Sequence, residues 1–405
     1  MKKNFLFLGF AIPDKEMKKV FELDKFPTIQ THKFNWNLIK GIEKDDICDF
    51  TYISSIPISD YPFFPFKKIK KNIWKINIES KNIKILQLPF INLSILKIIT
   101  RFCSGLYYSI KSYNHIKNKG GVIVYSVHVP YMIIGYIIAK IYNIDYIGIW
   151  TDPPAVKLER ENTLKSKLRR IENCISKFLM KKVSKVITLT KYLAEDFAPN
   201  KPYLVVEGII DYKDINEKNT IKYKKTIKSN DIKIIYTGTL DKRYGIKNIV
   251  EGFKMANEKN FTLEIYGKGD YEKELTEESK LNKNIKYKGF VSNDKILDIQ
   301  RNADYLINAR SATDEYVKYS FPSKTLEYMI SGTPVISTML PGIPEEYKNY
   351  FFVLKDNNVK TICDMIKKLK NISEEERVNT GIKAQKFALN KNYIVQGKRI
   401  VNFIC

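Results

Sequence analysis

Residues 319–346 read YSFPSKTLEYMISGTPVISTMLPGIPEE, and three consecutive structural signals lie within them. Phe321-Pro322-Ser323 predicts a turn entering a helix, because proline is tolerated in the first helical turn, where its missing N–H costs no hydrogen bond. The free N–H groups of Ser323 and Lys324 then point outward at the positive end of the helix dipole, an arrangement that suits a phosphate. Glu327 follows one turn later, where a carboxylate can accept hydrogen bonds from sugar hydroxyls. Gly332-Thr333-Pro334 stops the helix, and Pro334-Val335-Ile336-Ser337 predicts a short parallel strand. Turn, helix and strand make half of a nucleotide-binding α/β unit.

Strand-like runs alternate with helical ones along the rest of the chain, the signature of βαβ units and parallel sheets. In the first half, strands are expected at 4–8, 47–53, 122–125, 146–150, 186–189 and 203–206. An amphipathic helix is expected over 164–185, with Leu168, Ile171, Ile175, Phe178 and Leu179 as its core stripe. Residues 211–229 are polar, Lys-rich and aperiodic, and read as an interdomain connection. A second series of strands follows at 232–236, 262–266, 285–287, 305–308, 334–337 and 351–354, and helices at 359–369, 374–388 and 394–404 close the chain. The 405 residues suit two α/β domains. Their expected bounds are 1–205 and 206–385, with 386–405 as a final helical segment.

The net charge is +25, and residues 1–205 carry 34 Lys and Arg against 17 Asp and Glu. Within residues 67–119 there are 12 basic residues and one acid, Glu79, interleaved with Ile, Leu, Phe and Tyr. Such a stretch suits an anionic membrane surface or a pyrophosphate-bearing acceptor. Nucleic acid is a third partner for it, and ordinary solvated lysines in a Lys-, Ile- and Asn-rich chain are the plainer alternative. The 5 cysteines form no CxxC pair, so neither a disulfide framework nor a zinc site is expected, and a reducing cytoplasm fits. With 3 histidines and no HExxH motif, no metal centre is expected. Phe5-Leu6-Phe7-Leu8-Gly9 is too short for a signal-peptide core and reads as a first strand. The 18 residues 122–139 lack any Asp, Glu, Lys or Arg, but His128 and Pro130 interrupt them, so a strand, a loop and a helix are expected rather than a membrane span.

Further glycine turns follow predicted strands. In 235–245, Gly238 lets the backbone approach a ligand, and Thr239, Lys242 and Arg243 lie beside it. Gly267, in Gly267-Lys268-Gly269, and Phe290, in Lys288-Gly289-Phe290-Val291, mark two more strand ends. Gly9-Phe10-Ala11 follows the first strand. His128 lies just past a strand end, where open α/β sheets place active residues; a satisfied structural histidine is the alternative. Asp152 in Trp150-Thr151-Asp152-Pro153-Pro154 caps another strand, either as a carboxylate for an acceptor hydroxyl or as an Asx-turn residue.

Residues 319–346, with the Gly238 turn, resemble the carboxy-terminal domain of retaining glycosyltransferases of family 4, also called group 1. The resemblance implies the α/β GT-B fold: two Rossmann-like domains whose parallel sheets face a central cleft. By resemblance, Glu327 grips the donor ribose and the amides of Ser323 and Lys324 bind the diphosphate. The family's Gly-x-Gly turn and base-contacting loop fall on Gly267 and Phe290, Gly9 passes near the diphosphate, and His128 contacts the donor sugar. The family's first glutamate falls on Tyr319, leaving Glu315 as the candidate for that carboxylate. Its diphosphate-gripping Arg and Lys fall on Thr239 and Tyr244, so Lys242 and Arg243 are the compensating cations.

The implied activity is transfer of a sugar, with retention, from a nucleotide-diphosphate donor to a saccharide or polyprenyl-diphosphate-linked acceptor in surface-polysaccharide assembly. Neither metal nor cofactor is implied, in keeping with the absence of an Asp-x-Asp triplet, and no nucleic-acid partner. The leaving diphosphate is stabilised electrostatically. A nucleotide-sugar 2-epimerase of the same architecture is the first rival reading, and a basic nucleic-acid-binding protein is the second. A cytoplasmic protein, peripheral on the inner face of the cell membrane where its basic stretch engages, is the expected localisation.

Overall fold

Apolar runs of four to seven residues become parallel strands buried on both faces, as expected where helices cover a sheet from either side. This is seen in a computed structural model of the chain, which describes residues 2–27, 29–78, 81–154, 163–211, 231–313 and 315–405. The chain divides into two compact units, Met1–Asp211 with Asn392–Cys405, and Tyr212–Lys391. The connection expected over 211–229 lies, apart from Asp211, outside the described residues.

The first unit runs β1 (Lys3–Gly9), α1 (Asp14–Leu23), α2 (Ile29–Lys44), β2 (Cys48–Ser54), β3 (Lys68–Ile69), β4 (Asn72–Ile78), β5 (Lys81–Gln87), β6 (Phe90–Ile91) and α3 (Ser94–Tyr113). It continues with β7 (Lys119–Tyr125), α4 (Val129–Tyr142), β8 (Asp145–Trp150), α5 (Thr163–Met180), β9 (Lys185–Thr188), α6 (Lys191–Phe197) and β10 (Tyr203–Val205). Its main sheet has the order β10-β9-β8-β7-β1-β2-β5-β4. Neighbours are parallel except β4 and β5, which pair antiparallel at the edge. Residues 74–78 and 82–85 alternate Ile or Trp inward with Lys or Asn outward. That is the period of a one-sided edge hairpin, read in the sequence only as basic composition.

The second unit runs β11 (Ile232–Thr237), α7 (Ile246–Ala256), β12 (Phe261–Tyr266), α8 (Glu272–Leu281), β13 (Ile285–Tyr287), α9 (Asn293–Arg301) and β14 (Tyr305–Asn308). Then come α10 (Ser323–Ser331), β15 (Val335–Thr338), β16 (Phe351–Leu354), α11 (Val359–Leu369) and α12 (Glu374–Leu389). Its sheet order is β13-β12-β11-β14-β15-β16, parallel throughout. In both units the strand order reverses beside the first strand, between β1 and β7 and between β11 and β14. Open α/β sheets bind ligands at the carboxyl ends of the strands flanking such a reversal.

The last helix, α13 (Tyr393–Ile404), packs on α2 of the first unit. Glycine makes that crossing possible: a Cβ on Gly397 would lie 2.2 Å from the backbone carbon of Gly41, and one on Gly41 2.3 Å from the carbonyl oxygen of Tyr393. Tyr393 N–H donates to Ile210 O, and Lys40 bridges to Asp211 at 2.6 Å. The returning helix also brings Cys405 Sγ within 2.8 Å of Cys48 Sγ, a meeting of residues too far apart in sequence for spacing to reveal.

One expectation, about the buried stripe of α5, is corrected, whereas the strand, loop and helix expected over residues 122–139 are found. On α5 the inward positions are Ser176, Leu179 and Met180, whereas Ile171 and Phe178 face solvent. The apolar residues of that helix exceed what its contact with the unit can cover, and the Leu168 side chain lies outside the described residues. Residues 122–139 form the end of β7 and most of α4, and no helix among the described residues is long and apolar enough to cross a membrane.

Candidate functional site

In the second unit the expected residues gather around the reversal between β11 and β14. Gly238 follows β11 directly and donates its N–H to Tyr266 O at 3.0 Å. Gly267, at the end of β12, has φ +149°, and a Cβ there would lie 1.8 Å from Gly238 O. Only glycine tolerates that backbone approach. Gly267 N–H in turn donates to Gly289 O at 3.0 Å, so the three turns stack at the strand ends. Phe290 is exposed beyond them, with Lys268 Nζ 5.3 Å from its ring centre.

Helix α10 begins at Ser323, and Pro322 occupies the N-cap, one position earlier than the sequence suggested. No side chain caps this end, so its first amides remain available to an anion. Glu327, one turn in, is partly exposed, and its Oε1 accepts from Gln300 Nε2 at 2.6 Å and Lys324 Nζ at 2.7 Å. Its Oε2 receives no hydrogen bond from a described residue. Gln300, fully buried, also donates to Thr237 Oγ1 at 2.9 Å, and Tyr328 OH bonds both N–H and C=O of Thr237. One hydrogen-bonded chain therefore ties Glu327 to the strand end carrying Gly238. Burial holds the Tyr328 phenol well above its usual range, so the hydroxyl stays protonated and able to donate.

The two cations expected beside Gly238 are engaged elsewhere. Lys242 Nζ bridges to Glu274 at 2.7 Å, and Arg243 Nε lies 3.0 Å from both oxygens of Asp241. Arg310, which the sequence reading missed, sits two residues past β14. Its guanidinium stacks over the ring of Tyr244 at 4.2 Å, and its buried Nε has no partner among the described residues. The signal for it was its place after a buried strand at the reversal. Thr239 is exposed, and its carbonyl accepts from Tyr236 OH at 2.8 Å. Glu315 is exposed at the start of a short 3-10 helix, Glu315–Tyr319, and its neighbour Asp314 lies outside the described residues.

In the first unit, Gly9 ends β1 and His128 caps α4 just after β7. The His128 ring meets Phe10 edge-on at 5.1 Å and Tyr131 at 4.6 Å. Its Nδ1 is buried without a partner among the described residues. Burial, and then the charges of Arg101 and Lys97, hold its pKa well below the usual imidazole value, so the ring is neutral at pH 7. Arg101 donates to Ile56 O at 2.7 Å and lies over the Phe90 ring at 4.2 Å, and burial lowers its guanidinium to about 10. Ser55 and Tyr131 share a short hydrogen bond. Asp152 follows β8, exposed, and accepts from Thr151 Oγ1 at 2.8 Å. Sequence reading did not find Arg101, Lys97 or Tyr131, because all three lie on helices whose inward polar positions carry no local motif.

Residues 217–387 match the family described as glycosyl transferases group 1. This match, with the GT-B fold of the structures described next, supports a glycosyltransferase of the GT-B class. An uncharacterized glycosyltransferase of Methanocaldococcus jannaschii is 26% identical over 226 residues, covering 53% of this chain and 56% of that protein. The chain thus spans about half the length of that relative. Among solved structures, OtsA in its apo form aligns with a TM-score of 0.66 at 8% identity, covering 100% of this chain and 99% of that one. Anabaena HepE in complex with UDP aligns with a TM-score of 0.62 at 14% identity over 99% of both chains. The lipopolysaccharide outer core galactosyltransferase WaaB gives 0.61 at 13% identity, also over 99% of both. None of these is named as an epimerase, and that reading gains no support.

Proposed function

We propose that the protein is a retaining, metal-independent glycosyltransferase of family 4 that takes its sugar from a nucleotide-diphosphate donor and delivers it to a saccharide or lipid-linked acceptor of surface-polysaccharide assembly, in the cytoplasm. One observation carries the reading most directly. The open amides of α10 and the Glu327 carboxylate, one turn apart, are tied through Gln300 and Thr237 to the glycine turn at the sheet reversal. A nucleoside diphosphate needs these groups together: amides and a dipole for phosphate, a carboxylate oxygen for ribose hydroxyls, and a side-chain-free turn for close approach. The complex of the structurally similar HepE with UDP agrees with that choice of ligand.

The second unit is assigned the donor and the first the acceptor. Glu327 Oε2 accepts from the ribose. Ser323 and Lys324 amides hold the diphosphate, with Gly238, Thr239 and Gly267 giving backbone access and Phe290 bounding the base. Arg310, rather than the ion-paired Lys242 and Arg243, supplies the cation that stabilises developing charge on the leaving diphosphate. Glu315 is assigned to the donor sugar. His128, neutral, accepts or donates at a sugar hydroxyl, and Asp152 accepts from the acceptor hydroxyl. Release of nucleoside diphosphate from a panel of nucleotide sugars, with and without saccharide and lipid-linked acceptors, tests the reading. Release from at least one donor, accelerated by an acceptor, is expected; no release from any donor overturns it.

A further inference from the structure

Helix α3 packs Phe102 and Leu106 on the core, but its fully buried row is not aliphatic. Its inward row is Lys97, Arg101, Gly105, Ser109 and Tyr113, polar or small positions at helical spacing. Lys97 Nζ donates to Ile58 O at 2.6 Å and bridges to Asp60 at 2.9 Å, while Arg101 is spent on Ile56 O and Phe90. The outward face carries Ile95, Leu96, Ile98, Ile99, Tyr107 and Ile110, of which Ile95 is 63% and Tyr107 56% exposed. Single exposed aliphatic residues are ordinary, but a contiguous face of them on one helix marks a binding surface.

The face continues past the helix. Asn92 Nδ2 donates to Phe66 O at 3.2 Å, and Tyr61 N–H to Asn92 O at 3.1 Å. The segment bearing exposed Phe63 and Phe66 is thereby tied to the start of α3. Exposed cations border it: Lys71 Nζ lies over the Tyr108 ring at 5.1 Å and Lys111 Nζ over the Tyr107 ring at 5.6 Å, with Lys67, Lys68 and Lys70 in the preceding loop and strand. Between residues 61 and 144 the one acid is Glu79, which lies outside the described residues. An apolar helix face bordered by cations of one sign is complementary to a surface that is apolar within and anionic at its edge, as a bilayer with acidic headgroups is. A protein partner offering only negative charge would leave the aliphatic face uncovered.

We propose that the outer face of α3, with residues 61–71, docks the protein in the plane of an anionic lipid bilayer. This inference deepens the membrane attachment suggested by the basic stretch and does not depend on sugar transfer. Because α3 also carries Lys97 and Arg101 to the strand ends beside His128, docking brings the candidate acceptor site of the first unit close to the lipid. The test is co-sedimentation of the full chain with vesicles of phosphatidylcholine alone or mixed with phosphatidylglycerol, at low and high salt. The wild type is expected to bind the mixed vesicles and to be released by salt. Ile95→Glu with Ile99→Glu should weaken binding about ten-fold or more per residue, and Lys70→Gln with Lys71→Gln about five-fold per charge.

These side chains are exposed, so the variants should keep the wild-type circular dichroism. The milder Ile99→Ser and Tyr107→Ser should give the same ranking. Absence of vesicle binding by the wild type at low salt overturns the proposal, as does binding that the α3 variants leave unchanged. A concentration-dependent dimer in vesicle-free sedimentation that Ile99→Ser abolishes also overturns it, since a second copy would then cover the face.

Discussion

Replacing Glu327 by alanine separates a ligand-binding carboxylate from a structural one. In the protein, Glu327 Oε1 is held by Gln300 and Lys324 while Oε2 accepts from no described residue, and the side chain is partly exposed. Its structural worth is therefore small. Gln300 keeps Thr237 Oγ1 as a partner, and a solvent-touching Lys–Glu pair contributes about 0–1 kcal/mol. Its worth to a ribose is larger, because a hydrogen bond to a charged oxygen contributes about 1.5–3 kcal/mol, or roughly 10- to 150-fold in Kd. Calorimetric titration with UDP, GDP and ADP should thus show Glu327→Ala binding its preferred nucleotide at least about ten-fold more weakly, with a melting temperature close to wild type. Gln300→Leu, which leaves the carboxylate but removes one of its two anchors, should fall between. Unchanged affinity in a folded Glu327→Ala protein would refute the assignment of ribose to this residue.

His128→Ala should lower turnover strongly while leaving nucleoside-diphosphate affinity near wild type, since the donor groups belong to the second unit; parallel loss of both would contradict its role. The same histidine makes stability depend on pH. Its folded pKa lies below the unfolded value of about 6.5, so the unfolded state binds more protons as pH falls through 6.5. Wild type should then lose stability relative to His128→Gln by up to about 1.4 kcal/mol per pH unit in that direction, measured by urea denaturation between pH 7 and 5. Arg310→Ala should reduce both diphosphate affinity and turnover more than Lys242→Ala does, as read by calorimetry and product release. Gly397→Ala should destabilise the first unit by about 1–3 kcal/mol, because its methyl group would overlap the backbone of Gly41; an unchanged melting curve would mean that α13 does not depend on this crossing.

The fold was legible where burial is continuous. Phe5–Leu8, Tyr305–Asn308 and Val335–Thr338 have no exposed position, so uninterrupted apolar runs between turn residues marked them. Gly238, Gly267 and Glu327 were legible because a close backbone approach and a helix start leave residue-type signatures. Arg310 and Gln300 left no residue-type signature: Arg310 was marked only by its place after a buried strand at the reversal, and glutamine near the end of a helix, as Gln300 is, is locally unremarked. Helical faces were the least legible. Periodicity marks an apolar face on α5 but does not say whether the unit covers it, and on α3 the buried row is the polar one. The meeting of Cys48 and Cys405 depends on the return of α13 over the first unit, which no local pattern encodes.

The most direct measurement follows the anomeric proton of each nucleotide sugar in a panel by nuclear magnetic resonance during incubation with the purified chain and a candidate acceptor. The account predicts that one donor is consumed, nucleoside diphosphate appears, and the new glycosidic or hydrolytic product first carries the donor's anomeric configuration. Every donor remaining intact, a first product of inverted configuration, or a C2-epimerised nucleotide sugar formed without acceptor would contradict it.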